Sequence, residues 1–580
     1  LTILLDGEKN MSDKLTTYRR ADAPLPPVNY LWPLYGAGFE NLGRNDRPIA
    51  VPMPTFGPDE LLVRHDACGL CFSDIKVIKA GQSHPRIYRN MQENPVVLGH
   101  EVALTVVGVG QNLQDQYRVG DRFIIQADIY AKGVNLAYGY EIQGGLSQYN
   151  VLDWKVLNGD DGNYLIPVKP DTGYAESALT EPWACVIAAY ELQYRTALKA
   201  GGVTWIVGTE YGKNREYTLS SGLDAAAHPA RLALTNVPEP FAARLRAQAT
   251  ALGVEVIEIA DPTAPPIEEA DDIILLGADP DIIEMLSPYL AQFGVMALID
   301  DRPMPRRVAV DVGRIHYNRW VYVGGSGPDI AQAYSALPVR STLRPGGRAW
   351  FVGAGGPMGR MHVQRAIQTA DGPAVIVCTD VSDLRLNDLR VSYAAEAQAK
   401  GIEFVCLNPM NQAEYAAAMA AFRAGFDDII VLAPVPAVIA DAATWLAPQG
   451  VMNIFAGVNR GTMAQIDLSG AYLQGTRIIG HSASSIDDMK LMLFQAETGV
   501  LSPNRSVAAV GSLTAAKEGL RAVQDTVYPG KVVIYPQIRD FPLTALPDLK
   551  DKLPSVYALL KDGREWTNEA EAEFLRQMLP

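Results

Sequence analysis

The sequence predicts an α/β protein: a β-rich catalytic domain followed by two doubly wound parallel-sheet domains in tandem. Three observations carry this expectation. The texture of the chain changes near residue 200, the second part contains an internal repeat, and a set of metal-ligand residue types is confined to the first part.

Residues 12–190 read as mostly strand and loop. Short apolar runs such as LLVRHDA, VALTVVGVG and RFIIQADI are separated by Gly, Pro and Asp. From residue 200 onward apolar strands alternate with Ala-rich helical stretches, the pattern of a parallel sheet with crossovers. Within that region DDIILLGADPDIIEMLSPYLAQFGVMALID (271–300) matches DDIIVLAPVPAVIADAATWLAPQGVMNIFA (427–456) at an offset of 156. The same offset relates VDVGRIHYNRWVYVGGSG (310–327) to IDLSGAYLQGTRIIGHSA (466–483), and upstream GGVTWIVG (201–208) matches GGRAWFVG (346–353). Two complete doubly wound domains are the natural inference. The expected division is a catalytic domain over 1–195 completed by 500–580, a degenerate copy over 196–340 and a nucleotide-binding copy over 341–500.

The copies differ at the turn after their first strand. The second reads RAWFVGAGGPMGRMHVQRAI (348–367), a strand, a glycine turn and a helix. Such a turn lets backbone amides approach a pyrophosphate at a helix N-terminus. Gly353, Gly355, Gly356, Met358 and Gly359 are therefore the expected cofactor-side residues. Aligned on its C-terminal end, Gly356 and Gly359 fit G-x-G-x-x-G, with Ala354 at the first glycine position. Asp380 ends the next strand, placed to accept the ribose hydroxyls and so to favour NAD over NADP. The first copy has GTEYGKN (208–214) instead, where Glu210 repels phosphate, and Asn236 stands at the Asp position. It is expected not to bind nucleotide.

Cys71, His100, Glu101 and Glu181 lie in CGLCFSDIK (68–76), NPVVLGHEVA (94–103) and LTEPWACV (179–186). A thiolate, an imidazole and carboxylates are ligand types of a catalytic zinc with one open position. Cys68 and Cys71 form a C-x₂-C with no second cysteine pair after it, so a structural zinc knuckle is disfavoured. Cys68 and Cys185 read as packing residues, and His316 and His481 as loop or packing residues of the nucleotide domains.

Composition bounds the partners. The chain has 580 residues, 50 basic and 65 acidic side chains and a net charge of −15, which argues against nucleic acid or an anionic membrane. Five cysteines, an odd number, form no disulfide framework and suit a reducing compartment. No apolar run approaches the roughly 20 residues of a membrane span. A cytoplasmic protein is expected, with Met11 as its natural start and residues 1–10 as a vector or annotation scar.

The motifs NPVVLGHE, GDRFIIQAD, EPWACVIAAY, GGPMG, GFDDIIVLAPVP, SIDDM and GKVVIYPQIRDFPLTAL resemble the zinc-containing medium-chain dehydrogenase/reductase superfamily of alcohol and polyol dehydrogenases. Within it they are most similar to the L-sorbose-1-phosphate reductase type. The resemblance covers about residues 50–190 and 340–550, and residues 200–340 look like an insertion. It implies a GroES-like catalytic domain, Rossmann-type nucleotide domains, one catalytic zinc, NAD, and a small alcohol or ketone substrate, a polyol or ketose that is free or phosphorylated. A dimer or tetramer is the implied assembly.

Carried over by resemblance, Cys71, His100 and Glu181 are the zinc ligands, and Glu101 either ligates zinc or holds its water. Ser73 passes the substrate proton, and Asp74 orients the ligating histidine. GGLSQYNV (144–151) and PGKVVIY (529–535) resemble framework strands. Three departures stand out: Phe72 replaces a small or basic residue, Lys76 occupies the place of a relay histidine, and the lobe between Gln126 and Gly145 lacks the four cysteines of a structural zinc. Arg86 and Lys79 are the candidates for a phosphate contact. The cleft is expected between the catalytic domain and the second nucleotide copy, although the first copy follows Glu181 in the chain. Alternatives are an inactive nucleotide-binding regulatory or assembly protein, and a zinc lyase or epimerase with a retained NAD.

Overall fold

The computed structural model describes residues 14–335 and 340–580; Met11 and residues 1–10 lie outside them. The chain divides into two compact units, one of residues 1–187 with 483–580, the other of residues 188–482. No helix among the described residues is long and apolar enough to cross a membrane.

The first unit is built on an eight-stranded sheet whose central strand is Leu61–Gly69. On one side it pairs antiparallel with Glu101–Val109, on the other with Lys531–Tyr535, so the C-terminal segment completes the N-terminal sheet. The register places Gly69 opposite both Glu101 and Val533. Three distant parts of the sequence therefore meet at one end of the sheet. The strand Leu61–Gly69 is buried along its whole length, which explains an apolar run without strict alternation.

The second unit holds two parallel six-stranded sheets. Each copy's strands stand in the order 3-2-1-4-5-6, the doubly wound arrangement that the repeat predicts. Matching contacts preserve the scaffold in both. Trp205 and Trp350 donate from their indole nitrogens to Thr235 and Thr379 at 2.9 and 3.0 Å. RTALKAGG (195–202) and RSTLRPGG (340–347) each supply an arginine to a buried aspartate, Arg195 to Asp272 and Arg340 to Asp428.

The first copy is not a complete doubly wound domain, which corrects the expectation from the repeat. Its first strand, Val203–Gly208, and its second, Arg231–Thr235, are joined by a chain segment without a helix. In the second copy the helix Pro357–Gln368 occupies this connection. The physical cause is local. Thr209 donates its backbone N–H to the Leu276 carbonyl, and the buried Tyr217 donates its hydroxyl to the Gly212 carbonyl. The turn is thereby closed onto the next strand before a helix can start.

The two copies also answer how the repeat is used within this unit. Each sheet keeps its own strands, and among the described residues only the short strands Val308–Asp311 and Met463–Ile466 cross-pair, antiparallel. Ala309 lies opposite Gln465, its own counterpart at the repeat offset of 156, so the ribbon has a local two-fold relation. The contact is reciprocal elsewhere. A Cβ on Gly324 would meet Tyr472, and one on the matching Gly480 would meet His316, the counterpart of Tyr472. Small residues at both positions let a helix of one copy lie against the last strand of the other. His316 is thus a packing residue, with Nδ1 3.0 Å from the Ile454 carbonyl.

Candidate metal centre and nucleotide site

The metal-type residues converge because two loops are tied by one carboxylate. Cys71 precedes the helix Phe72–Ala80, and Asp74 in its first turn accepts the Cys71 backbone N–H at 3.0 Å. The same buried side chain accepts the Gly99 N–H at 3.3 Å and lies 3.4 Å from His100 Nδ1. Gly99 has φ +98°, and a Cβ there would meet Cys68 Sγ at 2.6 Å, so only glycine permits the turn that aims His100. Cys68 itself is fully buried packing, as the sequence suggests. GGLSQ braces the loop: Gly145 and Leu146 donate to the Gly99 and Leu98 carbonyls at 2.7 and 2.9 Å.

The result is a group in which ligand atoms of Cys71, His100 and Glu101 lie within 4.8 Å of one another. With Nδ1 turned to Asp74, His100 offers Nε2 to a metal, the usual division of labour in a ligating imidazole. Burial lowers the basicity of His100, but the Asp74 carboxylate and the Cys71 sulfur outweigh it and raise its pKa well above the ordinary value. A cation is therefore favoured in this pocket.

Glu101 brings a residue that motif reading left as framework. Lys531 forms a buried ion pair with Glu101 Oε1 across the sheet. Glu101 Oε2 is buried without a hydrogen-bond partner, and a Cβ on Gly69 would stand 2.1 Å from it. The glycine makes room for the carboxylate, the lysine fixes one oxygen, and the other is left for a ligand. The signal was in PGKVVIY: a lysine opening an apolar strand that is otherwise entirely buried.

Glu181, the fourth expected ligand, stands outside the group of three. It lies in the helix Thr180–Ala188 and is half-buried. Burial holds its carboxyl up, to about 7, with His100 opposing and Glu101 adding to the shift. It therefore sits within electrostatic reach of the cluster. The helical run carrying it is anchored by Glu571 of the C-terminal helix, which accepts the Tyr174 and Ala175 N–H groups at 2.6 and 2.7 Å. Cys185, one turn after Glu181, is half-buried rather than a core residue.

Ser73 Oγ is 3.5 Å from Cys71 Sγ. Phe72 and Lys76 are exposed on the outer face of their helix, with Lys79 over the Phe72 ring at 5.7 Å. The lobe without cysteines is held by polar contacts instead: Arg86 to Asp128 at 2.6 Å and Arg89 to Glu141 at 3.1 Å.

At the second copy's glycine turn each glycine has its own reason. Gly353 adopts φ +82°, so it, and not the position of Ala354, makes the first turn. A Cβ on Gly355 would meet Asp380 and Arg385, and one on Gly359 would stand 2.4 Å from the Ala354 carbonyl oxygen. A Cβ on Gly356 would meet nothing within 4 Å. Its bareness is not required by the fold, which suits a position approached by a ligand. Met358 lies in the first turn of the helix Pro357–Gln368, facing the same end. Asp380 is buried and accepts the Gly355 and Ser382 N–H groups, each at 3.0 Å. In the first copy the corresponding end carries Glu210, Asp300 and Asp301, with Arg215 3.6 and 3.5 Å from the two aspartates. Lys213 pairs with Glu210, and Arg302 lies 3.6 and 3.9 Å from Asp300 and Asp301, so each of these carboxylates already has a cation beside it.

Residues 57–158 match the family model of the alcohol dehydrogenase GroES-like domain. Over 88% of its length the chain is 25% identical to an uncharacterized protein, YggP, of Escherichia coli K12, covering 88% of that protein. It is 23% identical to mannitol-1-phosphate 5-dehydrogenase of Aliivibrio fischeri and 21% identical to L-sorbose 1-phosphate reductase of Klebsiella pneumoniae. Each alignment covers 90% of this chain and 93% of the relative.

Proposed function

From a chain that belongs to the medium-chain dehydrogenase/reductase superfamily through its GroES-like domain, we infer a zinc-dependent oxidoreductase that moves a hydride between a nicotinamide cofactor and a polyol or ketose. The observation that carries this reading is the convergence of Cys71, His100 and Glu101 within 4.8 Å, ordered by the buried Asp74. The donor set fits one zinc: a sulfur, an imidazole nitrogen and an orphaned carboxylate oxygen, with Glu181 available as the fourth ligand. When bound, zinc supplies Lewis acidity at the substrate oxygen, and the nicotinamide supplies or accepts the hydride.

The chain's own residues do the rest. Asp74 fixes the His100 ring and both ligand loops. Lys531 balances the charge of Glu101 and keeps its free oxygen directed at the cluster. Ser73, beside Cys71, hands a proton to the substrate oxygen in reduction and takes it in oxidation. Asp380 favours NAD over NADP, because its carboxylate suits ribose hydroxyls and repels a 2′-phosphate. The first copy is a scaffold that braces the second through the two-fold ribbon and binds no nucleotide.

The relatives' names point to sugar phosphates, and the substrate class proposed is a ketose or polyol, free or as its phosphate ester. Purified enzyme is expected to oxidise NADH in the presence of L-sorbose or L-sorbose 1-phosphate, and to lose that activity with a zinc chelator. Absence of turnover with ketoses and polyols in the zinc-loaded protein would leave an assembly role as the better account.

A further inference from the structure

Cys378 and Cys406 stand side by side in the sheet of the second nucleotide copy. The strands Val375–Thr379 and Glu403–Leu407 run parallel, and their register places Cys378 opposite Cys406. Register partners in such a ladder send their side chains to the same face. The adjoining Val377 and Leu407 belong to the apolar core on one side of the sheet, so the two sulfurs lie on the other. The helix Asp383–Ala399 joins the two strands, and its Arg390 donates to the Cys406 carbonyl at 2.7 Å. Both thiols are free, and that of Cys378 donates a hydrogen bond to the Cys406 sulfur.

The pair is asymmetric. Glu403–Leu407 is the edge strand of its sheet, and Cys406 is 6% exposed where Cys378 is wholly buried. The hydrogen bond from Cys378 and the charge of Arg390 outweigh burial and hold the Cys406 thiol below its ordinary pKa, whereas burial pushes the Cys378 thiol up. Cys406 is therefore the more nucleophilic sulfur and the one a small oxidant meets first. In the first copy LTNV (234–237) and GVEVIEIA (253–260) stand where the second has CTDV (378–381) and GIEFVCLN (401–408), and the register partners are Leu234 and Glu258. The thiol pair is confined to the copy that carries the glycine turn.

The same two strands hold that turn. The carbonyl of Thr379, next to Cys378, accepts the Gly353 and Ala354 N–H groups at 2.8 and 2.9 Å. Asp380 donates its N–H to the carbonyl of Leu407, next to Cys406, at 3.3 Å. Neighbouring strands stand about 4.7–4.9 Å apart, whereas a disulfide holds its Cβ atoms about 3.5–4.5 Å apart. Bridging the pair would draw the strands together and shift the support of both the turn and Asp380.

We propose that Cys378 and Cys406 form a reversible disulfide under peroxide, and that this bond weakens nucleotide binding by the second copy. The Cys406 sulfur attacks a peroxide oxygen and breaks the O–O bond, leaving a sulfenic acid; the released hydroxide takes the Cys406 proton and becomes water. The Cys378 sulfur then attacks the Cys406 sulfur. The S–S bond forms, the S–O bond breaks, and the departing hydroxide takes the Cys378 proton as a second water. Two thiols lose two electrons and the peroxide gains them. A dithiol reductant reverses the step, and a bond closed against the sheet spacing is the labile kind. The consequence for binding rests on the nucleotide reading of this copy, but the disulfide can be tested apart from it.

Full-length protein is treated with hydrogen peroxide, quenched with catalase, unfolded, alkylated and digested with trypsin. A cross-linked pair of the peptides 366–385 and 401–423, absent after dithiothreitol, is expected. Calorimetry should show NADH affinity about tenfold or more weaker after peroxide and restored by dithiothreitol. Cys406→Ser should bind NADH as untreated wild type does and keep that affinity through peroxide; Cys378→Ala gives the same readout should the serine variant fail to fold. Both variants retain Cys71, so a loss that came from oxidation of the metal cluster would persist in them. The absence of the cross-linked pair, a cross-link that leaves NADH affinity unchanged, or a loss that persists in the variants overturns the switch. A cross-linked pair in a protein whose reduced form binds no NADH supports the disulfide and counts against the nucleotide reading instead.

Discussion

Replacing Lys531 with Met is expected to destabilise the first unit by about 3–5 kcal/mol, the usual result of leaving a buried charge without its partner. Lys531 and Glu101 are 4% and 0% exposed at their side chains, and among the described residues no other cation is paired with Glu101. Burial opposes the charge of Lys531, but the attraction of Glu101, of the Cys71 sulfur and of Glu181 outweighs it and raises the lysine's pKa above its ordinary value, so the ammonium stays charged at neutral pH. Zinc affinity should fall with stability, because the carboxylate then has no fixed direction. The double variant Lys531→Met with Glu101→Gln separates the two effects: urea unfolding recovers much of the lost stability, while zinc binding stays weak. A loss below about 1 kcal/mol in the single variant would mean that Glu101 is not held by this pair.

Gly356→Val is expected to abolish measurable NADH binding while sparing the fold. Nothing lies within 4 Å of the position a Cβ would take there, and the residue's φ of −77° is open to other side chains. The stability change should stay within about 1 kcal/mol, the scale of a helix N-cap substitution. Wild type should bind one NADH per chain by calorimetry. Two per chain, or one that survives Gly356→Val, would assign nucleotide binding to the first copy and overturn the scaffold role given to it.

Much of this architecture was legible in the sequence, and the parts that were not share a cause. The offset of 156 revealed both nucleotide copies because strand patterning and the Trp–Thr and Arg–Asp contacts are local to each copy. The missing helix of the first copy was not legible. A repeat argues by similarity, and residues 209–230 are where similarity stops. Cys71, His100 and Glu101 could be singled out by chemistry, and they converge. Lys531 could not, because its meaning comes from register: only the pairing of Leu61–Gly69 with strands on both sides brings a lysine 430 positions away onto Glu101. That Gly353 makes the turn was not legible for a related reason, since such a glycine is identified by its backbone angle and not by spacing.

The most direct test of the central claim is zinc per chain in the purified protein, beside Cys71→Ser. Close to one zinc that survives dialysis, and is lost in the variant while the fold is retained, is the result expected from the convergent donor set. A wild-type protein that takes up no zinc when it is supplied, or a Cys71→Ser protein that keeps its metal, would contradict the account.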